Sequence, residues 1–292
     1  MLGTNRHRYK RMALIRPSID LNTGTLNVSF VGSSASIHIP LASPGPHDLQ
    51  SASSRVCGDK INALTYSRPD IVDFFSEAIG TSCTLARFPP SLTSKRHFKP
   101  HLQVGSGKNG DAAFCTVKQP PILLSNESPM LLVNRTSIDH LNELIKGSGG
   151  KAAKADVFRA NIVIYDIGRD RIPYAEDTWK YLQIGKEYIE VSSPSPGSTS
   201  LILCDLSDIY FFLDPQLLGP CRRCHMVCID QQTAIKDEEP YVTLSKTRRI
   251  GGRVLFGQYA THVPVKNRTR PGIKAGDLVR VLEKEPRVET GD

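Results

Sequence analysis

Gly219-Pro220-Cys221-Arg222-Arg223-Cys224-His225-Met226-Val227-Cys228-Ile229-Asp230 is the stretch on which the reading of this chain turns. Three of the seven cysteines crowd into it, while Cys57, Cys83, Cys115 and Cys204 are scattered singly. The spacing Cys221-x2-Cys224 is half of a zinc ribbon or finger, but a structural zinc site wants four ligands and no second pair of that kind follows. If His225 to Ile229 is a strand, alternation puts Cys224, Met226 and Cys228 on one face and His225 on the other, which argues against one tetrahedral site. Burial as small hydrophobes is the plainer reading of such cysteines. Arg222 and Arg223 shift that balance. Guanidinium groups beside a thiol favour the thiolate, the form that ligates metals or attacks sulfur. Their forked donors also suit phosphate or the polar edge of a heterocycle.

Working outward, more cations follow in Lys246-Thr247-Arg248-Arg249 and Arg253, and Arg159-Ala160-Asn161 opens an apolar run. Each alone reads as a solvated charge. Together with a soft thiolate they predict a pocket for an anionic cofactor that carries a thiophilic metal. The whole chain agrees in sign: 37 Lys and Arg against 29 Asp and Glu give +8 over 292 residues. A basic zinc- or nucleic-acid-binding module is the competing reading, and it would need an interleaved aromatic and basic face that is not seen. No nucleic-acid partner is therefore expected.

Hydrophobic residues at 39% and charged residues at 23% are ordinary for a protein with a core, so global disorder is not expected. No run approaches the ~18 apolar residues of a membrane helix; the best, Leu201 to Leu213, carries Asp205 and Asp208. The basic N-terminus has no apolar segment of a secretory signal. With an odd cysteine count, this predicts free thiols in a reducing, cytoplasmic setting. Gly105, Gly107 and Gly110 formally spell G-x-G-x-x-G, but they sit in a polar stretch without a βαβ pattern and read as linker. Phosphate loops of the G-x-x-x-x-G-K-[ST] type, H-E-x-x-H and G-x-S-x-G are all absent from the sequence, which removes support for common nucleotide hydrolases, zincins and α/β-hydrolases.

The first third has β-type runs at Arg11 to Ile19, Thr25 to Val31 and Ser36 to Leu41, with Asn22-Thr23-Gly24 as a turn. Pro69 opens an amphipathic helix that Gly80 ends. Residues 91–117 are polar and basic, a linker. A short run at Pro121 to Leu124 precedes a helix with Ser137 as N-cap and Ile138, Leu141, Leu144 and Ile145 as its apolar face. Short strands are predicted at Asn161 to Tyr165, Tyr181 to Ile184, Tyr188 to Val191, His225 to Ile229, Tyr241 to Leu244, Val254 to Tyr259 and Leu278 to Leu282. The pattern is mainly β with α decoration, a barrel or sandwich. Residues 192–216 interrupt it with a Ser/Pro/Gly-rich half and an apolar half. They read as an inserted loop or a translated intron.

At these residues the chain resembles the MOSC domain family, and within it the C-terminal module of eukaryotic molybdenum cofactor sulfurases. The resemblance runs through Arg11-Met12-Ala13-Leu14-Ile15, Val56-Cys57-Gly58-Asp59, Ser128-Pro129-Met130-Leu131-Leu132 and Phe158-Arg159-Ala160-Asn161-Ile162-Val163-Ile164. It continues through Tyr174-Ala175-Glu176-Asp177-Thr178-Trp179, Leu218 to Thr233, Phe256-Gly257-Gln258-Tyr259 and Ala275-Gly276-Asp277.

That resemblance implies a MOSC-type β-barrel (118–286, with 192–216 atypical) preceded by a smaller β-rich domain (1–90). It implies binding of the molybdenum–pterin cofactor, held for sulfur transfer. Cys224 takes the position of the molybdenum ligand, with Cys221 a neighbour and Cys228 in the core. Arg159, Asn161, Ser128, Arg222 and Arg223 are the implied cofactor contacts. Glu176, Asp177 and Trp179 are implied to fix the barrel, and Asp230 to cap a turn. Implied partners are a desulfurase domain and acceptor enzymes of the xanthine dehydrogenase type. No pyridoxal phosphate site is expected here, because no Schiff-base lysine context is found. Family members usually begin with a further strand segment carrying an Asp-Arg pair, and this sequence starts after it. A molybdenum-dependent reductase of N-hydroxylated compounds, fed by a haem protein, is the alternative within the same fold.

Overall fold

Alternating apolar and polar residues give the N-terminal part its two small antiparallel sheets. The computed structural model describes residues 9–42, 45, 47–56, 59–88, 128–166, 171–191, 219–263 and 272–284. Strands β1 (Ile15–Asp20), β2 (Thr25–Phe30) and β3 (Ser36–Pro40) pair in that order. Asp20 makes the first turn: its Oδ1 accepts the N–H groups of Asn22 (2.9 Å) and Thr23 (3.3 Å), and Gly24 takes a left-handed φ of +62°. In β3 Ile37 and Ile39 point inward while Ser36, His38 and Pro40 face out, the period-two pattern read from sequence. Residues 11–14 of the predicted first strand fall in a 3-10 turn (Lys10–Leu14) instead. The ladder with β2 ends at the Ile15–Phe30 pair, beyond which the Leu14 carbonyl still accepts the Val31 N–H at 2.9 Å.

Strands β4 (Leu49–Val56) and β5 (Asp59–Tyr66) pair along their whole length, and β6 (Ala86–Arg87) adds to β5. Helix α1 (Pro69–Ile79) starts on Pro69 and stops at Gly80, whose φ of +82° lets its N–H reach the Ser76 carbonyl at 2.8 Å. Its Ile71 and Phe75 join Val28, Ile37, Ile39 and Tyr66 in one apolar cluster.

The second part is built around one long strand. In chain order it has β7 (Met130–Asn134), α2 (Arg135–Gly147), β8 (Ile162–Ile164), β9 (Trp179–Ile184), β10 (Glu187–Glu190), β11 (Pro220–Arg222), α3 (Tyr241–Thr247), β12 (Arg249–Ile250), β13 (Arg253–Val263) and β14 (Val279–Lys284). The sheet runs β14-β9-β10-β13-β7-β8, with β11 and β12 also on β13, and it curls into a half-barrel. Only the β7–β8 pair is parallel among the described strands. β13 serves β10 with Thr261–Val263, β7 with Gln258–Ala260 and β11 with Leu255–Gln258. Leu132, Ile164, Trp179, Leu182, Ile189, Val191 and Ala260 pack as its core.

Three local expectations are corrected. The N-cap of α2 is Asn134, whose side chain accepts the Thr136 N–H at 3.0 Å, whereas Ser137 lies inside the helix. Tyr241–Thr247 is a helix, since a four-residue apolar run does not by its period separate helix from strand. His225–Cys228 is a 3-10 turn: the Val227 N–H bonds the Cys224 carbonyl at 3.2 Å and the Ile229 N–H that of Met226 at 3.2 Å.

Contacts divide the described residues into two units. Residues 9–88 with Cys224–Val242 form the first, and residues 128–166, 171–191, 219–223, 243–263 and 272–284 the second. The predicted linker 91–117, the run 121–124, the insert 192–216 and Cys57, Cys115 and Cys204 lie outside the described residues. Among the described residues no helix is long and apolar enough to cross a membrane.

Candidate functional site

Period-two alternation continues through the segment Cys221 to Cys224 and sorts its side chains. Cys221 and Arg223 are buried; Arg222 and Cys224 are exposed. The two adjacent arginines therefore have different surroundings. Arg222 reaches solvent. Arg223 is 7% exposed and is held from both ends: its N–H bonds the Val254 carbonyl at 2.8 Å, Nε donates to the Phe256 carbonyl at 2.7 Å, and Nη1 donates to the Phe158 carbonyl at 3.0 Å. Its guanidinium carbon stands 5.5 Å and 5.9 Å from the ring centroids of Phe158 and Phe256, themselves packed 4.6 Å apart. Nη2 is buried and meets no acceptor among the described residues.

Cys224 begins the 3-10 turn with extended backbone, and of the three clustered cysteines it alone is exposed. The Cys228 thiol donates to the Glu238 carbonyl at 3.1 Å, and burial pushes its pKa up, as suits a core position. Cys221 is buried on β11. Among the described residues no three His, Cys, Asp or Glu side chains gather into a metal-binding group. The Asp230 carboxylate accepts the N–H groups of Gln232 (2.7 Å) and Thr233 (2.9 Å), the turn cap expected of it.

On the second unit, Arg159 closes a 3-10 turn (Ala155–Phe158) in left-handed backbone, φ +53° and ψ 38°, with its side chain exposed. Asn161 is used by the fold: Oδ1 accepts the Leu131 N–H at 2.8 Å, and its own N–H bonds the Leu131 carbonyl at 2.8 Å. Ser128 is buried and donates to the Ala260 carbonyl at 3.1 Å. Arg159, Asn161 and Arg223 thus meet around one short stretch of backbone. Ser128 is anchored at the other end of the β7–β13 pairing.

A polar network around Glu176 and Asp177, with partners the sequence did not single out for it in Ser137, Tyr174 and Gln258, supports this stretch. Glu176 is buried, accepting from the Ser137 hydroxyl (2.7 Å) and the Asn134 N–H (3.4 Å); burial, with Asp177 beside it, pushes its pKa up to about 7. Asp177 binds Arg248 at 2.5 Å and the Gln258 amide at 2.9 Å. Arg248 covers the Tyr174 ring at 4.3 Å, and burial raises the Tyr174 pKa to about 12. Trp179 lies in the core. The Glu176-Asp177-Trp179 stretch accordingly fixes the barrel.

Profile comparison matches the MOSC domain to residues 119–198 and 213–292, more than half of the chain. The chain belongs to the MOSC domain family. The match breaks within the stretch that the sequence marks as an insert. This MOSC chain is 42% identical to the molybdenum cofactor sulfurase of Botryotinia fuckeliana over 94% of its own length and 35% of that protein's. It is 39% identical to the sulfurase of Aspergillus oryzae (87% of the chain, 31% of the relative) and 36% to that of Aspergillus clavatus (88% and 32%). The chain spans about a third of the length of the curated relatives it matches, corresponding to their C-terminal third.

Proposed function

We propose that this chain is the cofactor-holding module of a molybdenum cofactor sulfurase, binding the molybdenum–pterin cofactor while a terminal sulfur is delivered to the metal. The observation that carries the reading is the exposed thiol of Cys224 in a MOSC chain whose relatives are named as sulfurases. The donor set fits the group. A thiolate is a soft ligand suited to a thiophilic metal, and the exposed guanidiniums of Arg159 and Arg222 complement an anionic pterin. When bound, the cofactor supplies the metal centre that receives the sulfur. Asn161 and Ser128 hold the surrounding backbone.

The proposed organisation is a β-rich domain (1–90), a linker (91–117) and the MOSC domain (118–286, insert 192–216). Sulfur comes from a desulfurase domain and passes on to acceptor enzymes of the xanthine dehydrogenase type. The unpaired thiols Cys83, Cys221, Cys224 and Cys228 fit a reducing, cytoplasmic setting. Reconstitution of the purified chain with molybdopterin and molybdate, followed by elemental analysis, tests the proposal. Cys224→Ser is expected to lose most of the bound molybdenum while keeping its melting temperature. Retention at the level of the unaltered chain overturns the assignment.

A further inference from the structure

Arg159 is a non-glycine residue in left-handed backbone, a conformation that costs roughly 1–2 kcal/mol and persists only where its surroundings impose it. Two sets of bonds do so. Downstream, Asn161 is tied to Leu131 through both its N–H and its side chain. Upstream, the Arg159 N–H bonds the Asp156 carbonyl at 2.9 Å, and the carbonyl of Phe158, part of the peptide leading into Arg159, is captured by Arg223 Nη1 at 3.0 Å. The same guanidinium is fixed to β13 through Nε and the Phe256 carbonyl at 2.7 Å. One planar fork therefore ties the turn before Arg159 to the central strand. Lysine carries the charge but has no such fork.

Gly257 makes room for it. Its φ is +72°, and a Cβ there would stand 2.7 Å from Val133 Cγ2, 2.8 Å from the Leu132 carbonyl oxygen and 3.1 Å from Arg223 Nη2. The backbone of β13 is thus left bare where the arginine crosses it.

We infer that Arg223 is a positioning residue: its guanidinium clamps the Phe158 carbonyl to β13 and so presents the exposed Arg159 side chain to the anionic cofactor. The inference rests on the proposed cofactor reading for what Arg159 meets, and on distances within the second unit for the clamp itself. Arg223 acts through Arg159, so its loss does not add to the loss of Arg159.

The test uses the full chain in two arms. Without cofactor, amide hydrogen exchange at Arg159 and Asn161 is expected to quicken about tenfold in Arg223→Lys while the amides of β9 and β10 stay protected. Glycine adopts left-handed backbone freely, so Arg159→Gly is expected to restore about tenfold of the folded-to-unfolded ratio that Arg223→Lys loses. If Arg223→Lys does not fold alone, the double variant is expected to fold. Unchanged exchange at 159–161, in Arg223→Lys against the unaltered chain or in the double variant against Arg159→Gly, overturns the clamp.

With molybdopterin, Arg223→Lys is expected to retain as little pterin as Arg159→Ala, and the double variant no less than Arg159→Ala. Losses that multiply in the double variant overturn action through Arg159. Failure of the unaltered chain to take up any molybdopterin sinks the cofactor reading instead, and the exchange arm still decides on the clamp.

Discussion

Arg223, just past β11, and Glu190, at the end of β10, are buried to a similar degree, 7% and 4% exposed, yet the second unit treats them oppositely. Arg223 is met by the carbonyls of Phe256 and Phe158 and by two aromatic faces. Glu190 stands opposite Tyr181 on β9 and Thr261 on β13, with no donor for its Oε1 among the described residues. Burial alone pushes its pKa up to about 7. A guanidinium cannot shed its proton and must be solvated by the fold, whereas a carboxyl can take one up. The irregular register of β11 leaves the Phe256 carbonyl to the cation and the 3-10 turn before Arg159 supplies that of Phe158, while the β9–β10–β13 ladder is regular around Glu190. The difference teaches where this molecule keeps a fixed charge and where it keeps a titratable one.

Arg223→Met attacks the first half of that contrast and carries the largest expected effect. Two hydrogen bonds from a charged donor are lost, at about 1.5–3 kcal/mol each, so urea unfolding should show a loss of about 3 kcal/mol or more. A loss under about 1 kcal/mol would mean the carbonyls are not solvating the charge.

Glu190→Gln attacks the second half. The unfolded chain loses this proton near the ordinary glutamate value of 4.5, while the folded chain keeps it up to about 7. Stability therefore falls as pH rises through that interval and levels off above it. The amide removes the slope: expected stabilisation is on the order of 1–3 kcal/mol near pH 8 and close to none near pH 4. Melting curves at the two pH values check this, and an offset equal at both would break the contrast.

Arg222→Ala is the smallest. Its side chain lies in solvent, so unfolding should move by less than about 0.5 kcal/mol. Retention of molybdopterin should nevertheless drop, as expected of a guanidinium that serves the anion and not the fold.

Much of the architecture was legible in the chain. The β2 and β3 runs, the Pro69–Gly80 helix and strands β9, β10, β13 and β14 follow from period, proline and glycine. What failed were the β4–β5 hairpin, whose Ser-rich first strand carries little apolar period, and short apolar runs. Tyr241–Thr247 and His225–Cys228 are each too brief for period to choose helix, turn or strand. Asn134, and not the Ser137 that the sequence pointed to, is the buried cap of α2, because capping is a matter of which backbone N–H lies within reach. At the candidate site the sequence pointed to Arg159, Arg222, Arg223 and Cys224 by residue type, but could not say which arginine faces solvent.

Residue order by itself determined the mainly β character, the clustered thiols, the cationic excess and the likeness to sulfurase C-terminal regions. These are properties of local pattern and composition, and they survive without knowing what touches what. Only the tertiary structure decided that Arg223 spends its fork on two carbonyls far apart in sequence, that Arg159 is held left-handed beside it, and that Cys224 is the exposed thiol of its group. Burial and hydrogen-bond partners come from long-range packing, which no short window of sequence contains.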